Sequence, residues 1–112
     1  MTTLIDSLRQ QRGGPRDGAM LRFSLGNALL GAGEAAAAIE ELQRAVAFDP
    51  AYSAAWKLLG KACLEAGQRQ AAADAWRSGI AAANHRGDKQ AEKEMTVFLR
   101  RLEKEPPQDH LP

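Results

Sequence analysis

The feature that most constrains this chain is an internal repeat with a period of 34 residues. Residues 19–52 laid on 53–86 give nine identities, including Leu25-Gly26 on Leu59-Gly60, Leu30 on Leu64, Ala32-Gly33 on Ala66-Gly67 and Ala37-Ala38 on Ala71-Ala72. A period of 20–50 residues marks stacked supersecondary units, none of which can bury its apolar face alone. Alanine occupies about a fifth of the 112 positions, so some identities are cheap. The Leu-Gly pair followed seven residues later by a second glycine is not.

Each unit reads as helix, turn, helix. Trp56, Leu59, Cys63 and Leu64 recur at three- and four-residue spacing, as do Leu25, Leu29 and Leu30 in the first unit. Gly33 and Gly67 stop these helices. Ala38, Leu42, Ala45 and Val46, and then Ala72, Ala75, Trp76 and Ile80, line the following ones. Asp49-Pro50 ends the second helix of the first unit, since proline disfavours helical backbone in the residue before it, and Ser53 is the expected cap of the next helix. Gly26 and Gly60 lie inside helices, where glycine costs roughly 1 kcal/mol relative to alanine. Their shared phase predicts close approach of a neighbouring helix, with Ala38 and Ala72 as the complementary small residues.

These residues resemble the tetratricopeptide repeat in a small, bacterial-type two-repeat form. The first unit carries Leu25, Gly26, Leu29, Ala38, Leu42, Ala45 and Pro50. The second carries Trp56, Leu59, Gly60, Cys63, Ala72, Trp76 and Gly79. Arg22 stands where a bulky aromatic is usual, Cys63 where tyrosine is common and Asn84 where a closing proline is expected. The resemblance implies an all-α helical-hairpin solenoid, with repeats 19–52 and 53–86 flanked by an N-terminal helix and a capping helix at 87–104. Thr3 and Asp6 suggest a capping box for the first of these, with Leu4, Ile5 and Leu8 as its apolar stripe and Gly13-Gly14-Pro15 as its stop. In the last helix Ala91, Met95, Phe98, Leu99 and Leu102 form the buried face. Lys89, Glu92, Lys93, Glu94, Arg100, Arg101 and Glu103 form the wet one. Six helices in one domain, 1–104, and a disordered tail, 105–112, are expected.

Chemistry is sparse. One cysteine, Cys63, can form neither an internal disulfide nor a multi-cysteine zinc site, and its place on an apolar stripe predicts burial. His85 and His110 have no partner at ligand or triad spacing, so no metal, cofactor or catalytic residue is expected. Gly31-Ala32-Gly33 lacks the lysine and hydroxyl residue of a phosphate-binding loop. Trp56 and Trp76 fall at packing phases. Net charge +1 argues against a nucleic-acid factor. No apolar run is long enough to span a membrane, and the N-terminus lacks the basic start and apolar run of a signal peptide, so a cytoplasmic setting is expected. Arg100-Arg101 reads as solvated surface.

The family resemblance also implies a binding surface. In such arrays the first helix of each pair lines a concave groove that takes an extended peptide or a partner helix. By family phase the groove positions are Met20, Phe23, Asn27 and Leu30, then Ala54, Lys57, Lys61 and Leu64. Phe23 and Leu30 would supply apolar contact, and Asn27, Lys57 and Lys61 orientation. Lys57 and Lys61, four apart, project from one face. Some relatives clamp an acidic chaperone tail with five polar residues. The equivalent positions here are Phe23, Asn27, Leu58, Asp88 and Glu92, of which only Asn27 fits, so that ligand is not expected. A monomeric, non-catalytic protein-binding scaffold is the expectation, with a self-associating assembly subunit as the alternative.

Overall fold

The computed structural model describes residues 3–105. Six helices follow in order: α1 (Leu4–Gln10), α2 (Ala19–Gly31), α3 (Ala35–Phe48), α4 (Ser53–Glu65), α5 (Arg69–Arg86) and α6 (Lys89–Lys104). Each helix packs on the next, and most extensively within the hairpins α2–α3 and α4–α5, while α4 touches α2 and α6 only marginally. The result is two layers, α2, α4 and α6 on one side and α3 and α5 on the other.

The helix stops are the same device three times over. Gly33, Gly67 and Gly87 take φ of +80°, +77° and +75°. In each case the next residue's N–H reaches back five positions: Glu34 to the Leu29 carbonyl, Gln68 to Cys63 and Asp88 to Ala83, at 2.9, 2.8 and 2.8 Å. A left-handed residue at this point satisfies carbonyls the helix leaves open, and glycine takes it without steric penalty. Helix α5 has 18 residues against 14 for α3. Pro50 follows the end of α3, whereas its counterpart Asn84 lets α5 continue to Arg86.

The core holds Leu25, Leu29, Leu42, Trp76 and Met95, all essentially sealed from solvent, with alanines at 38, 45, 55, 62, 72 and 83 between them. The internal glycines mark close contact, but not with the expected alanines. A Cβ on Gly26 would lie 2.6 Å from Leu42 Cγ, and one on Gly60 would enter the Trp76 indole. Ala38 and Ala72 are buried, yet the side chains filling the notches are the large ones four residues later. Gly79 plays the same part for the C-terminal helix, facing Met95 and Trp56.

Among the described residues, side-chain N-caps occur only on α1 and α6. Thr3 and Asp6 form the expected capping box on α1, and Asp88 accepts the Ala91 N–H at the start of α6. Ser53 is not a cap. It is the first residue of α4, preceded by Tyr52, and its buried hydroxyl donates to Asp88 Oδ2 at 3.0 Å. Arg69 holds the end of α6 through the Leu102 and Glu105 carbonyls, at 3.0 and 3.1 Å. Beyond Glu105 the expected tail lies outside the described residues, as does His110.

Candidate functional site

The α2–α4–α6 layer carries all the residues expected to line a groove. Phe23, half-buried on α2, meets Tyr52 at the head of α4 with ring centroids 5.1 Å apart. This aromatic pair bridges the two repeats, and Tyr52 was not among the expected residues. Burial, with Asp49 nearby, raises the Tyr52 phenol above its ordinary pKa, so it is a neutral hydroxyl at pH 7. Met20 is 75% exposed one turn before Phe23, Asn27 is exposed one turn after it, and Leu30 packs half-buried against the core.

On α4 the two lysines part company. Lys57 Nζ donates to Glu94 Oε1 of α6 at 3.3 Å. Lys61 stays exposed with its ammonium 5.1 Å from the Phe98 ring centroid, a cation–π geometry. The spacing rule placed both on one face correctly, but α6 occupies that face and takes one of them. Ala54 is half-buried. Leu64, 40% exposed, joins Trp76, Phe98, Arg101, Leu102 and Glu105 around a cleft of about 170 Å³ between α4, α5 and α6.

A second polar constellation lies at the other end. Arg22 grips Asp17 with two bonds, Nε to Oδ1 at 2.8 Å and Nη2 to Oδ2 at 2.9 Å, and donates a third to Glu41 at 3.0 Å. Arg12 closes the chain on Glu41 at 2.7 Å. Asp17 also accepts the N–H groups of Gly13 and Gly18, at 2.8 and 2.9 Å. Glu41 is only 6% exposed. The network ties the 11–18 loop to α2 and α3, so Arg22 serves the ionic clamp in place of an aromatic packing residue. The Arg22 hydrogen bonds hold the Asp17 carboxyl far below the usual carboxylate range, and the pairing with Asp17 raises the guanidinium further. No spacing rule links residues 12, 17, 22 and 41; the unusual arginine at 22 was the one available signal.

Cys63 is buried as expected, and burial raises its thiol above the ordinary value. It contributes to the floor of a cleft of about 340 Å³ between α3 and α5, beside Trp56 and Leu59. Among the described residues no three His, Cys, Asp or Glu side chains are placed to hold a metal ion, and no helix is long and apolar enough to cross a membrane.

The tetratricopeptide repeat model matches residues 29–88. The chain belongs to the tetratricopeptide repeat family. It is 54% identical over 101 residues to a TPR repeat-containing protein of Pseudomonas aeruginosa, an alignment covering 90% of this chain and 96% of that one. The solution structure of a Bordetella parapertussis protein matches with a TM-score of 0.77 at 44% identity, over 91% of this chain and 89% of the other. Tetratricopeptide repeats generally mediate protein–protein interaction and are generally non-catalytic. The family match begins at Leu29, inside α2, so Arg22 and its ionic partner Asp17 precede the matched residues.

Proposed function

We propose that this chain is a non-catalytic adaptor whose α2–α4–α6 layer takes a peptide or a partner's helix. The observation that carries the reading is the pairing of two apolar spots across helix boundaries on that layer. The Phe23–Tyr52 pair spans α2 and α4, and the Leu64–Phe98 cleft spans α4 and α6. Exposed Asn27 and Lys61 lie along the same layer. Apolar anchors flanked by a few orienting polar groups are what a helix-in-groove or extended-peptide ligand uses. Lys57 is spoken for by Glu94, so orientation falls to Asn27 and Lys61, with Met20 and Leu30 extending the apolar contact along α2.

The test is affinity capture from the source cell with wild type and the Phe23→Ala/Lys61→Glu variant side by side. A protein held by wild type and lost with the variant, at unchanged helical content, supports the groove. Equal capture by both sinks it.

A further inference from the structure

The capping helix sorts its charges. Every glutamate of α6 is turned toward the body of the protein: Glu92 accepts from Asn84 at 3.1 Å, Glu94 from Lys57 at 3.3 Å and Glu103 from Arg77 at 3.1 Å. Lys89, Lys93, Arg100 and Lys104 are all exposed, and among the described residues none of them makes a side-chain hydrogen bond or ion pair. At 100° per residue these four cations fall within an arc of about 60° opposite Ala91, Met95 and Leu102. An ordinary solvated helix intermixes its charges. Here the neighbouring helices have drawn off the acids and left a narrow basic ridge on the outer end of the solenoid, on a protein of net charge +1.

We propose that this ridge docks an acidic helical segment of a protein partner, separately from the groove. The spacing 89, 93, 100, 104 places two cation pairs, each about 6 Å apart along the axis, with about 10 Å between them. A helix carrying carboxylates at i, i+4, i+11 and i+15 matches it, and because the 4–7–4 interval is symmetric it matches in either direction. The narrowness of the ridge, four cations within an arc of about 60° with the exposed Arg101 about 60° beyond Lys104, suits one helix better than a broad polyanion such as a duplex or an anionic lipid surface. The ridge also lacks an apolar face to insert into a bilayer, since that face of α6 is buried in the core and only Val97 is left out at its margin.

The probe is a synthetic alanine-based helix with glutamates at positions 1, 5, 12 and 16, titrated against the full chain at low ionic strength. The controls are a peptide with the same four glutamates spread around the helix, an oligothymidylate, and vesicles containing phosphatidylglycerol. The in-register peptide should bind, weaken with added salt, and lose about tenfold in affinity with Lys93→Glu/Arg100→Glu, since two exposed pairs become two repulsions. Lys93→Gln/Arg100→Gln should show a smaller loss with the same thermal melt as wild type. Phe23→Ala/Lys61→Glu should bind it normally, which separates this surface from the groove. No binding, equal binding of the scrambled peptide, indifference to the charge reversal, or tighter retention of the oligonucleotide or vesicles would each overturn the proposal.

Discussion

Gly60→Ala is the sharpest test of how the second hairpin is packed. The added methyl would occupy the space of the Trp76 indole, whose nearest atoms are Nε1, Cε2 and Cδ1. Trp76 is 2% exposed, and its Nε1 donates to the Lys57 carbonyl at 3.1 Å, so the ring has neither free space nor a spare partner. Overpacking of a filled core costs about 1–3 kcal/mol, and displacing the indole from Lys57 adds about 1 kcal/mol. The gain in helix propensity returns about 1 kcal/mol. The net is a destabilisation of about 2 kcal/mol, or a drop in melting temperature of about 10 °C for a domain of this size. Gly31→Ala is the internal control. That glycine is also helical, but an added Cβ meets nothing within 4 Å, so the same chemical change should be neutral or stabilising by up to about 1 kcal/mol. Urea and thermal unfolding followed by circular dichroism would measure both. Trp76→Leu, which copies the Gly26–Leu42 pair of the first repeat, should make Gly60→Ala less costly than it is in the wild-type background. If Gly60→Ala and Gly31→Ala shift stability in the same direction, the close-approach argument is wrong.

Other expectations follow from the same contacts. Arg22→Trp, a change toward the family's usual aromatic, removes the two-bond grip on Asp17 and one of the two cations on Glu41, leaving Asp17 to the Gly13 and Gly18 N–H groups and Glu41 to Arg12. It should lower stability by about 2 kcal/mol in urea unfolding, the scale of lost hydrogen bonds to charged groups; a more stable variant would refute the clamp. Asp17 is held low chiefly by Arg22, and Asp88 chiefly by the Ala91 N–H with help from Ser53. Both are more acidic folded than unfolded, so their stabilisation is complete above the ordinary carboxylate range near pH 4 and is lost as pH falls below it. Asp17→Asn should flatten that acid limb, and an unchanged slope would show that Asp17 does not carry it. Cys63, buried with a raised thiol pKa, should react with a thiol reagent at pH 8 far more slowly in native protein than in urea; equal rates would contradict its burial. The basic ridge of α6 repels its own copy, so light scattering should give a concentration-independent monomer mass at low salt, and a mass that rises with concentration would favour self-association.

The parts of this fold legible in the sequence are those governed by local rules. The stops at Gly33 and Gly67, the end of α3 before Pro50 and the end of α6 at Lys104 depend on neighbours within one or two turns, whereas Gly87, expected inside the last helix, is the left-handed stop of α5 and α6 starts at Lys89. The parts that were not legible depend on side chains far apart in the chain. Ser53 looked like a cap because serine commonly is one, but the hydroxyl turns to Asp88, 35 residues on. Lys57 and Lys61 are equivalent on their own helix, and only the arrival of Glu94 and Phe98 distinguishes them. Trp56 and Trp76 both lie at packing phases, yet Trp76 is sealed while Trp56 is half-buried, its Nε1 bonded to the Pro50 carbonyl at 2.8 Å. A repeat pattern assigns positions in a generic array, whereas these differences arise because, among the described residues, the hairpins α2–α3 and α4–α5 have different outer neighbours.

That asymmetry explains where polar devices concentrate. Helices α2 to α5 begin without a side-chain cap. A nascent helix in the middle of a stack buries apolar surface against neighbours on both sides, and this stabilisation substitutes for a cap. Among the described residues α1 and α6 have a neighbour on one side of the stack only, and these are the two with side-chain caps. The ionic clamp likewise secures the N-terminal loop, and glutamates of α6 bonded to Asn84, Lys57 and Arg77 secure the C-terminal helix. Where packing is one-sided, charge and hydrogen bonding take over the work of fixing the element. At the C-terminal end those contacts use the acids of α6 and leave its cations outward, so a device required for folding also determines the sign of the surface shown to a partner.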